Sequence, residues 1–372
     1  MSGIIGVLNL NGAPVPPGLL QRMMEPMAAR WPDAQETWID GSVAFGHAML
    51  RTTDESARER QPLSFDGRVW ITADARVDGR AELIRLFESG DCDDLRSAPD
   101  VELILRAYHL WGEDCVSRLI GDFSFAIWDG RTQSLFCARD HFGVKPFYYV
   151  RTADSLLFAN DIDSLRKHPD VSDRLNETVV GDFLLFGGNQ DEATTIYDDI
   201  RRLPPAHRLI VTRDKIRIER YWKLPTDGHI RYADDREYVD RYRELFDQAV
   251  TDRLRTDRVS IMMSGGTDSA AVGAVAARLL RQERPTADVR AFTIVYRSLL
   301  PGDEEGHYAG LVAKSADVNI YYLAADDYRL FERRHRPELY CQQPIDHPML
   351  ALWFDHYFLC AKHSRVALTG YG

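Results

Sequence analysis

The stretch Arg258-Val-Ser-Ile-Met-Met-Ser-Gly-Gly-Thr-Asp-Ser-Ala270 decides how the second half of the chain is organised. It begins with the apolar run Val259–Met263, which is typical of a short strand, and leads into the small apolar run Ala270–Leu280, which is typical of a buried helix. A strand, a glycine turn and a helix N-terminus in succession favour phosphate, because first-turn N–H groups and the helix dipole attract an anion. The two glycines also let the backbone approach a ligand closely. We therefore expect this turn to bind phosphate.

The residues expected to hold the ligand are consecutive: Met263, Ser264, Gly265, Gly266, Thr267, Asp268 and Ser269. Three of them add hydroxyl donors, and Asp268 can either cap the turn or hold a magnesium ion. The turn is neither a Walker A loop nor a GxGxxG turn. The alternative is an ordinary strand-to-helix turn with a serine or aspartate cap. The Ser-Gly-Gly-x-Asp-Ser string resembles the PP-loop of the ATP pyrophosphatases, which implies bound ATP and Mg²⁺, with catalytic roles for Ser264 and Asp268 and a metal at Asp268.

Composition limits the function classes that remain. The chain has 372 residues, enough for two domains, with 45% hydrophobic and 28% charged residues and a net charge of −11. Because no run of Lys or Arg stands out, we expect no nucleic-acid partner. Five cysteines, an odd number without a CxxC pair, indicate reduced thiols and a cytoplasmic protein: Cys92, Cys115, Cys137, Cys341 and Cys360. No apolar run of about 18 residues and no signal peptide is present, so we expect no membrane association.

The first half of the chain has the pattern of mixed short strands and helices. Gly3–Leu10 is typical of a strand, and Val101–Trp111 has the apolar spacing of an amphipathic helix. This pattern predicts an α+β layered domain. In the second half, strands such as Val289–Tyr296 alternate with helices, which predicts an α/β parallel sheet with ligands at the carboxyl ends of its strands.

Two further blocks carry a resemblance to a known family. Phe123–Asp129 and Ala138–Phe147, followed by Phe158-Ala159, resemble the N-terminal glutaminase domain of asparagine synthetases. With the PP-loop further along, the resemblance covers essentially the whole chain. It implies an N-terminal-nucleophile-type glutaminase-like domain over 1–170, a connecting segment over 171–234 and an ATP-pyrophosphatase domain over 235–372. It also implies that Ile294 reads the adenine edge and that Thr369 and Gly370 line the nucleotide site. Because the family continues past this point, we expect the second domain to be incomplete.

The chain departs from the family at the glutamine site. Ser2 stands where the family has its nucleophilic cysteine, and Met49 stands where an arginine anchors the substrate. The block that supplies the oxyanion-hole asparagine falls near Ala73-Asp74-Ala75. Asp100, at the family's glutamine-binding position, persists, and we expect it to act as a helix cap rather than as a ligand. These changes predict an inactive glutaminase.

The synthetase half also departs, with Tyr371 in place of a substrate-binding glutamate and Gln342-Gln343 in place of Asp-Glu. The resemblance implies an ATP-dependent amide-forming ligase, in which a small-molecule or peptide carboxylate is adenylated and then attacked by an amine. Loss of the cysteine makes the chain similar to the cyclases of lasso peptide biosynthesis, which implies a precursor peptide and its protease as partners. Asparagine synthesis from aspartate and glutamine or ammonia is the alternative, and a catalytically inactive scaffold is a second.

Overall fold

The computed structural model of the protein describes residues 2–87, 95–213 and 215–370, and the chain divides into two units. The first unit takes the chain up to Arg51, then Glu55–Asp227 and Gln342–Ile345. The second unit takes Thr52–Asp54, Gly228–Cys341 and the chain from Asp346 onward. Two residues that the sequence singled out, Cys92 and Tyr371, lie outside the described residues.

The strands of the first unit form two antiparallel sheets. The six-stranded sheet has the order β2-β3-β1-β8-β7-β9 and consists of β1 (Gly3–Asn9), β2 (Ala34–Asp40), β3 (Val43–Met49), β7 (Tyr148–Arg151), β8 (Ser155–Ala159) and β9 (Arg201–Arg202). The five-stranded sheet has the order β11-β10-β6-β5-β4 and consists of β4 (Val69–Asp78), β5 (Ile120–Asp129), β6 (Ser134–Arg139), β10 (His207–Val211) and β11 (Ile216–Arg220).

Helices cover the outer faces of both sheets. They are α1 (Leu19–Met24), α2 (Arg80–Leu86), α3 (Asp100–Trp111) and α4 (Ile162–Arg166), with 3₁₀ turns at Glu25–Met27, Glu55–Ala57 and Gly112–Ser117. A further helix, α5 (Glu177–Phe186), buries Val179 and leaves Leu184, Leu185 and Phe186 exposed. Met23 and Leu165 pack with the six-stranded sheet, and Ile104 packs with the five-stranded one. A third core that includes Phe45 and Trp128 fills the space between the sheets. This arrangement confirms the predicted α+β layered fold.

Much of the segment predicted as a connection, 171–234, is built into the first unit. Strand β10 pairs with β6, strand β11 pairs with β10, and the short β9 pairs with β7. The polar, proline-containing sequence that follows Trp222 forms no strand or helix until Asp235.

The second unit contains a parallel sheet of order β14-β13-β12-β15, as predicted. Its strands are β12 (Arg258–Met262), β13 (Asp288–Val295), β14 (Asn319–Ala324) and β15 (Ala367–Thr369). Its helices are α6 (Asp235–Thr251), α7 (Thr267–Glu283), α8 (Glu305–Ser315) and α9 (Leu350–Ala361), with a 3₁₀ turn at Pro337–Leu339. The chain adds β13 and β14 on one side of β12 and returns with β15 on the other. This reversal creates a crevice at the carboxyl ends of β12 and β15, where open α/β sheets bind ligands.

The strand, turn and helix around the expected phosphate site form as predicted, with small shifts in their bounds. Strand β12 begins one residue earlier than the expected Val259, and α7 begins at Thr267 rather than Ala270. The helix starts early because the polar residues after Gly266 form its first turn. None of the helices in the described ranges is long and apolar enough to cross a membrane.

Candidate functional site

The turn between β12 and α7 is held in shape by its own serines. The backbone N–H of Ser264 donates to Oγ of Ser269 at 2.8 Å, and the two hydroxyl oxygens lie 2.7 Å apart. The N–H of Gly266 donates to Oγ of Ser264 at 3.2 Å. Gly266 occupies the cap position of α7 without any side-chain cap, so the N-terminal amides of the helix face outward, as at phosphate sites. Asp268 lies exposed in the first helical turn, and the structure does not use it as a cap.

Two glycines lie where neighbouring segments approach this turn closely. A Cβ on Gly265 would lie 3.1 Å from the carbonyl oxygen of Glu305. A Cβ on Gly370 would lie 2.4 Å from the backbone nitrogen of Ser269, a distance that no side chain tolerates. The end of β15 therefore packs directly against the first turn of α7, as the strand order requires.

A cavity of about 650 Å³ opens at this edge of the sheet, within the usual range for small-molecule sites. Seven of the residues predicted to bind the nucleotide line it: Met263, Ser264, Gly266, Asp268, Ser269, Ile294 and Gly370. The other three, Gly265, Thr267 and Thr369, lie next to lining residues in the chain but are not part of the described lining. The predicted set is therefore largely brought together around one cavity.

The remaining lining residues were not predicted as binding residues. One is Met262, the last residue of β12. A first set comes from the segment after β13: Tyr296, Leu300, Asp303 and Glu305. A second set comes from the segment that enters and forms α9: His347, Met349, Leu352, Trp353 and His356. The first set had a signal in the sequence, because the chain must leave the carboxyl end of β13 at the same edge as the phosphate turn. The second set had none beyond the helical spacing of Leu352, Trp353 and His356.

The charge of the cavity differs between its two walls. Among the described lining residues the carboxylates are Asp268, Asp303 and Glu305, and none is Lys or Arg. Asp303 is engaged by the backbone, since Oδ2 accepts the N–H of Tyr296 at 2.9 Å and Oδ1 accepts that of Glu305 at 3.1 Å. The lining residues contributed by α9 are mainly apolar and aromatic. Burial there lowers the pKa of His356, although a hydrogen bond to the Phe292 backbone acts to raise it, and the imidazole is therefore neutral at pH 7.

The triphosphate that the sequence predicts for this cavity would need a cation to offset the carboxylates of the lining. In the described part of the chain, no group of three or more His, Cys, Asp or Glu side chains could hold a metal alone. Mg²⁺ does not require such a group, because it is commonly bound through one or two carboxylates, waters and substrate phosphates. The exposed carboxylate of Asp268, within the phosphate turn Ser264–Ser269, fits that role.

The first unit has a buried polar network around Ser2. The N–H of Ser2 donates to Oδ1 of Asp74 at 2.9 Å, and Nδ2 of Asn160 donates to the Ser2 carbonyl oxygen at 2.6 Å. The Ser2 hydroxyl oxygen accepts the N–H of Leu50 at 3.2 Å. Nζ of Lys145 donates to Oδ1 of Asp74 at 3.0 Å, and both side chains are buried. Burial alone would raise the pKa of the Asp74 carboxyl, but the Lys145 ammonium, the charge of the N-terminus and the Ser2 N–H together more than offset it, and the pKa lies below its usual range.

Asp100 has a different role from the one expected. It is the first residue of α3, behind Pro99 at the cap position, and no side chain caps this helix. The expectation that Asp100 caps the helix is therefore wrong. Its carboxylate instead forms an ion pair with the guanidinium of Arg80, which also donates to the carbonyl oxygen of Ala98 at 2.6 Å. Asp100 is thus already bound to a cation within the protein.

Comparison with known proteins agrees with this two-part structure. Residues 1–222 match the glutamine amidotransferase domain family, and residues 241–372 match the asparagine synthase family. Asparagine synthetase [glutamine-hydrolyzing] 3 of Bacillus subtilis (strain 168) is 33% identical over 74% of this chain and 45% of its own length. Asparagine synthetase [glutamine-hydrolyzing] 2 of the same organism is 29% identical over 100% of this chain and 51% of its own length.

The chain spans about half the length of these curated relatives. Among solved structures, the glutamine phosphoribosylpyrophosphate amidotransferase of B. subtilis, complexed with ADP and GMP, matches 99% of this chain and 90% of its own. It does so at 13% identity with a TM-score of 0.42. On the family matches, the chain belongs to the asparagine synthetase family, which joins a glutamine amidotransferase domain to an asparagine synthase domain.

Proposed function

We propose that the protein is an ATP-dependent carbon–nitrogen ligase that forms AMP and pyrophosphate. The observation that carries this proposal is the turn Ser264–Ser269, which places a helix N-terminus and two serines in the lining of a nucleotide-sized cavity at the carboxyl edge of the sheet. A substrate carboxylate oxygen attacks the α-phosphorus of ATP, and the bond from that phosphorus to the bridging oxygen of pyrophosphate breaks. An amine then attacks the acyl carbon, loses a proton and displaces AMP.

The residues of the turn serve the first step by position and charge. The amides of the first turn of α7 and the Ser264 hydroxyl face the phosphates, where they stabilise charge that moves onto pyrophosphate as it leaves. Asp268 supplies a carboxylate for Mg²⁺, which when bound neutralises phosphate charge. Ile294, near the end of β13, places its backbone in the part of the cavity wall where we expect the adenine ring.

Replacing Asp268 with Asn should lower the rate of pyrophosphate release by roughly a hundredfold, because one metal-binding charge is lost. The measurement is pyrophosphate release with ATP, Mg²⁺ and each candidate carboxylate, with nucleotide products separated by chromatography. Asp327→Asn is the control, since it removes an exposed carboxylate that is not among the described lining residues. Release of ADP and phosphate in place of AMP and pyrophosphate would refute the adenylation step.

The amine is proposed to come from the substrate or from free ammonia rather than from glutamine. Ser2 provides no thiol, and its surroundings are occupied by the buried ion pair of Asp74 with Lys145. Macrolactam closure of a precursor peptide, between its N-terminal amine and an Asp or Glu side chain, satisfies this condition with one substrate. This is the chemistry of the lasso peptide cyclases that the chain resembles, and a protease that trims the precursor is then a further partner.

Three outcomes separate this proposal from its alternatives. A cyclase converts a peptide that has a free N-terminus into a product lighter by one water, whereas the N-acetylated peptide, which can still be adenylated and release pyrophosphate, gives no such product. An asparagine synthase produces asparagine from aspartate with ammonium or glutamine. A scaffold produces pyrophosphate with neither substrate.

A further inference from the structure

We propose that Asp326 is a positioning residue for the nucleotide, which acts by fixing the loop that follows β13. The inference rests on the proposed function, because it concerns the same cavity. Asp326 is not itself among the described residues that line the cavity. It follows β14, which pairs in parallel with β13, so it reaches the loop from the neighbouring strand end.

The carboxylate of Asp326 binds three consecutive backbone amides. Its Oδ1 accepts the N–H of Arg297 at 3.1 Å, that of Ser298 at 2.7 Å and that of Leu299 at 2.8 Å. Oδ1 also accepts the Ser298 hydroxyl at 2.9 Å, and Oδ2 accepts the N–H of Arg297 at 2.9 Å. Successive amides that converge in this way form a concave anion site, which here is filled by a side chain of the protein.

These bonds hold the carboxylate ionised. Hydrogen bonds from the backbone N–H groups keep the pKa of Asp326 well below its usual range, with the largest effect from Arg297, then Leu299, then Ser298. Hydrogen bonds to a charged acceptor are stronger than neutral ones, so the loop is held more firmly than an ordinary turn.

The clamped residues lie between two residues of the cavity wall. Tyr296 immediately precedes them and Leu300 immediately follows them, and both line the cavity. Asp303 gives a second anchor, because its Oδ2 accepts the N–H of Tyr296 at 2.9 Å and its own N–H donates to the Leu300 carbonyl oxygen at 3.1 Å. Release of Asp326 would therefore free residues 297–299, which join the two wall residues, and Leu300 would keep its contact from the Asp303 N–H.

The experiment compares Asp326→Ala, Asp326→Asn and the neighbouring Asp327→Ala in the full chain. ATP affinity in the presence of Mg²⁺ is measured by calorimetry, and the rate of tryptic cleavage after Arg297 is followed by mass spectrometry. We expect Asp326→Ala to weaken ATP binding roughly tenfold and to speed cleavage at Arg297, because charge-assisted bonds to the loop are lost. Asp326→Asn should fall between that variant and the wild type, since its amide oxygen still accepts N–H groups without charge. Asp327→Ala should match the wild type in both measurements.

The two measurements separate anchoring of the loop from positioning of the nucleotide. Faster cleavage with unchanged ATP affinity would show that the loop is anchored but does not position the nucleotide. Unchanged cleavage would show that Asp326 does not anchor the loop. If Asp326→Ala unfolds at a lower temperature than the wild type, the Asn variant supplies the comparison. A wild-type chain that fails to bind ATP would overturn the proposed function, whereas wild-type binding with no effect of either Asp326 variant would overturn this inference alone.

Discussion

His47 shows how a single residue ties the stability of the first unit to pH. It lies in the middle of β3 and is 2% exposed. Burial lowers the pKa of its imidazole from 6.5 to about 4, although the charge of Asp74 acts in the opposite direction. Above pH 6.5 neither the folded nor the unfolded chain protonates this residue. Between pH 6.5 and 4 only the unfolded chain does so, and folding stability falls as the pH falls.

Replacing His47 with Gln should remove this dependence. Between pH 6.5 and 4, protonation of His47 in the unfolded chain should lower the free energy of unfolding of the wild type by about 3 kcal/mol. The variant should not show this contribution. The free energy of unfolding in urea at several pH values measures the difference. His229→Gln, which changes an exposed histidine, is the control and should follow the wild type. Parallel pH curves for wild type and His47→Gln would show that the buried imidazole does not control acid stability.

At the scale of elements, the junction of β15 with α7 sets the geometry of the phosphate turn. Gly370 lets the strand end contact the backbone of Ser269, and the Thr293 hydroxyl, which donates to the Met263 carbonyl oxygen at 2.9 Å, ties β13 to the same turn. The turn is therefore supported from the strands on both sides of β12. Its shape depends on this packing as well as on its own serines.

Gly370→Ala should separate β15 from α7 and weaken ATP binding by more than about tenfold, because its Cβ meets backbone that cannot rotate away. Calorimetric titration with ATP and Mg²⁺ checks this. Gly181→Ala in α5 is the matched control, since its Cβ would enter open space. Equal affinities for the two variants would show that the close approach of β15 is not needed for nucleotide binding.

The same elements show what a sequence can predict about such a site. Ser264, Asp268 and the glycines are predictable because a strand, a turn and a helix N-terminus are adjacent in the chain. Ile294 and Gly370 came from the family resemblance together with the rule that parallel strands share a carboxyl edge. Trp353 and His356 were missed, since nothing local indicates which face of α9 turns towards the cavity. Asp326 was missed because a carboxylate that binds a distant loop has no motif.

In the whole molecule, the two units differ in which features of the family's functional sites they keep. The first keeps the layered sheets of its family but has an ion pair beside Ser2, and the second keeps the phosphate turn and its cavity. The family relationship therefore extends over the chain, while the proposed chemistry depends on the second unit.

Ser2→Ala should accordingly leave pyrophosphate release within about twofold of the wild type when the substrate carries its own amine or ammonium is supplied. Among the contacts of the described residues, the variant loses the bond from the Leu50 N–H to the Ser2 hydroxyl oxygen, worth about 1 kcal/mol. The assay is run in parallel with glutamine as the sole nitrogen source, where neither protein should form glutamate. Glutamate formation by the wild type that disappears in Ser2→Ala would show that the serine is a working nucleophile.

The strand order of the second unit also has a consequence for biosynthesis. β13 is synthesised soon after β12 and pairs with one of its edges. The other edge of β12 pairs with β15, which is synthesised roughly a hundred residues later. At ribosomal rates of about 5–20 residues per second, that edge stays open for about 5–20 s. During this interval the nascent chain exposes an apolar strand, Val259 to Met262, that can pair with other chains. Arrival of Ala367–Thr369 closes the edge and completes the proposed nucleotide site in the same event.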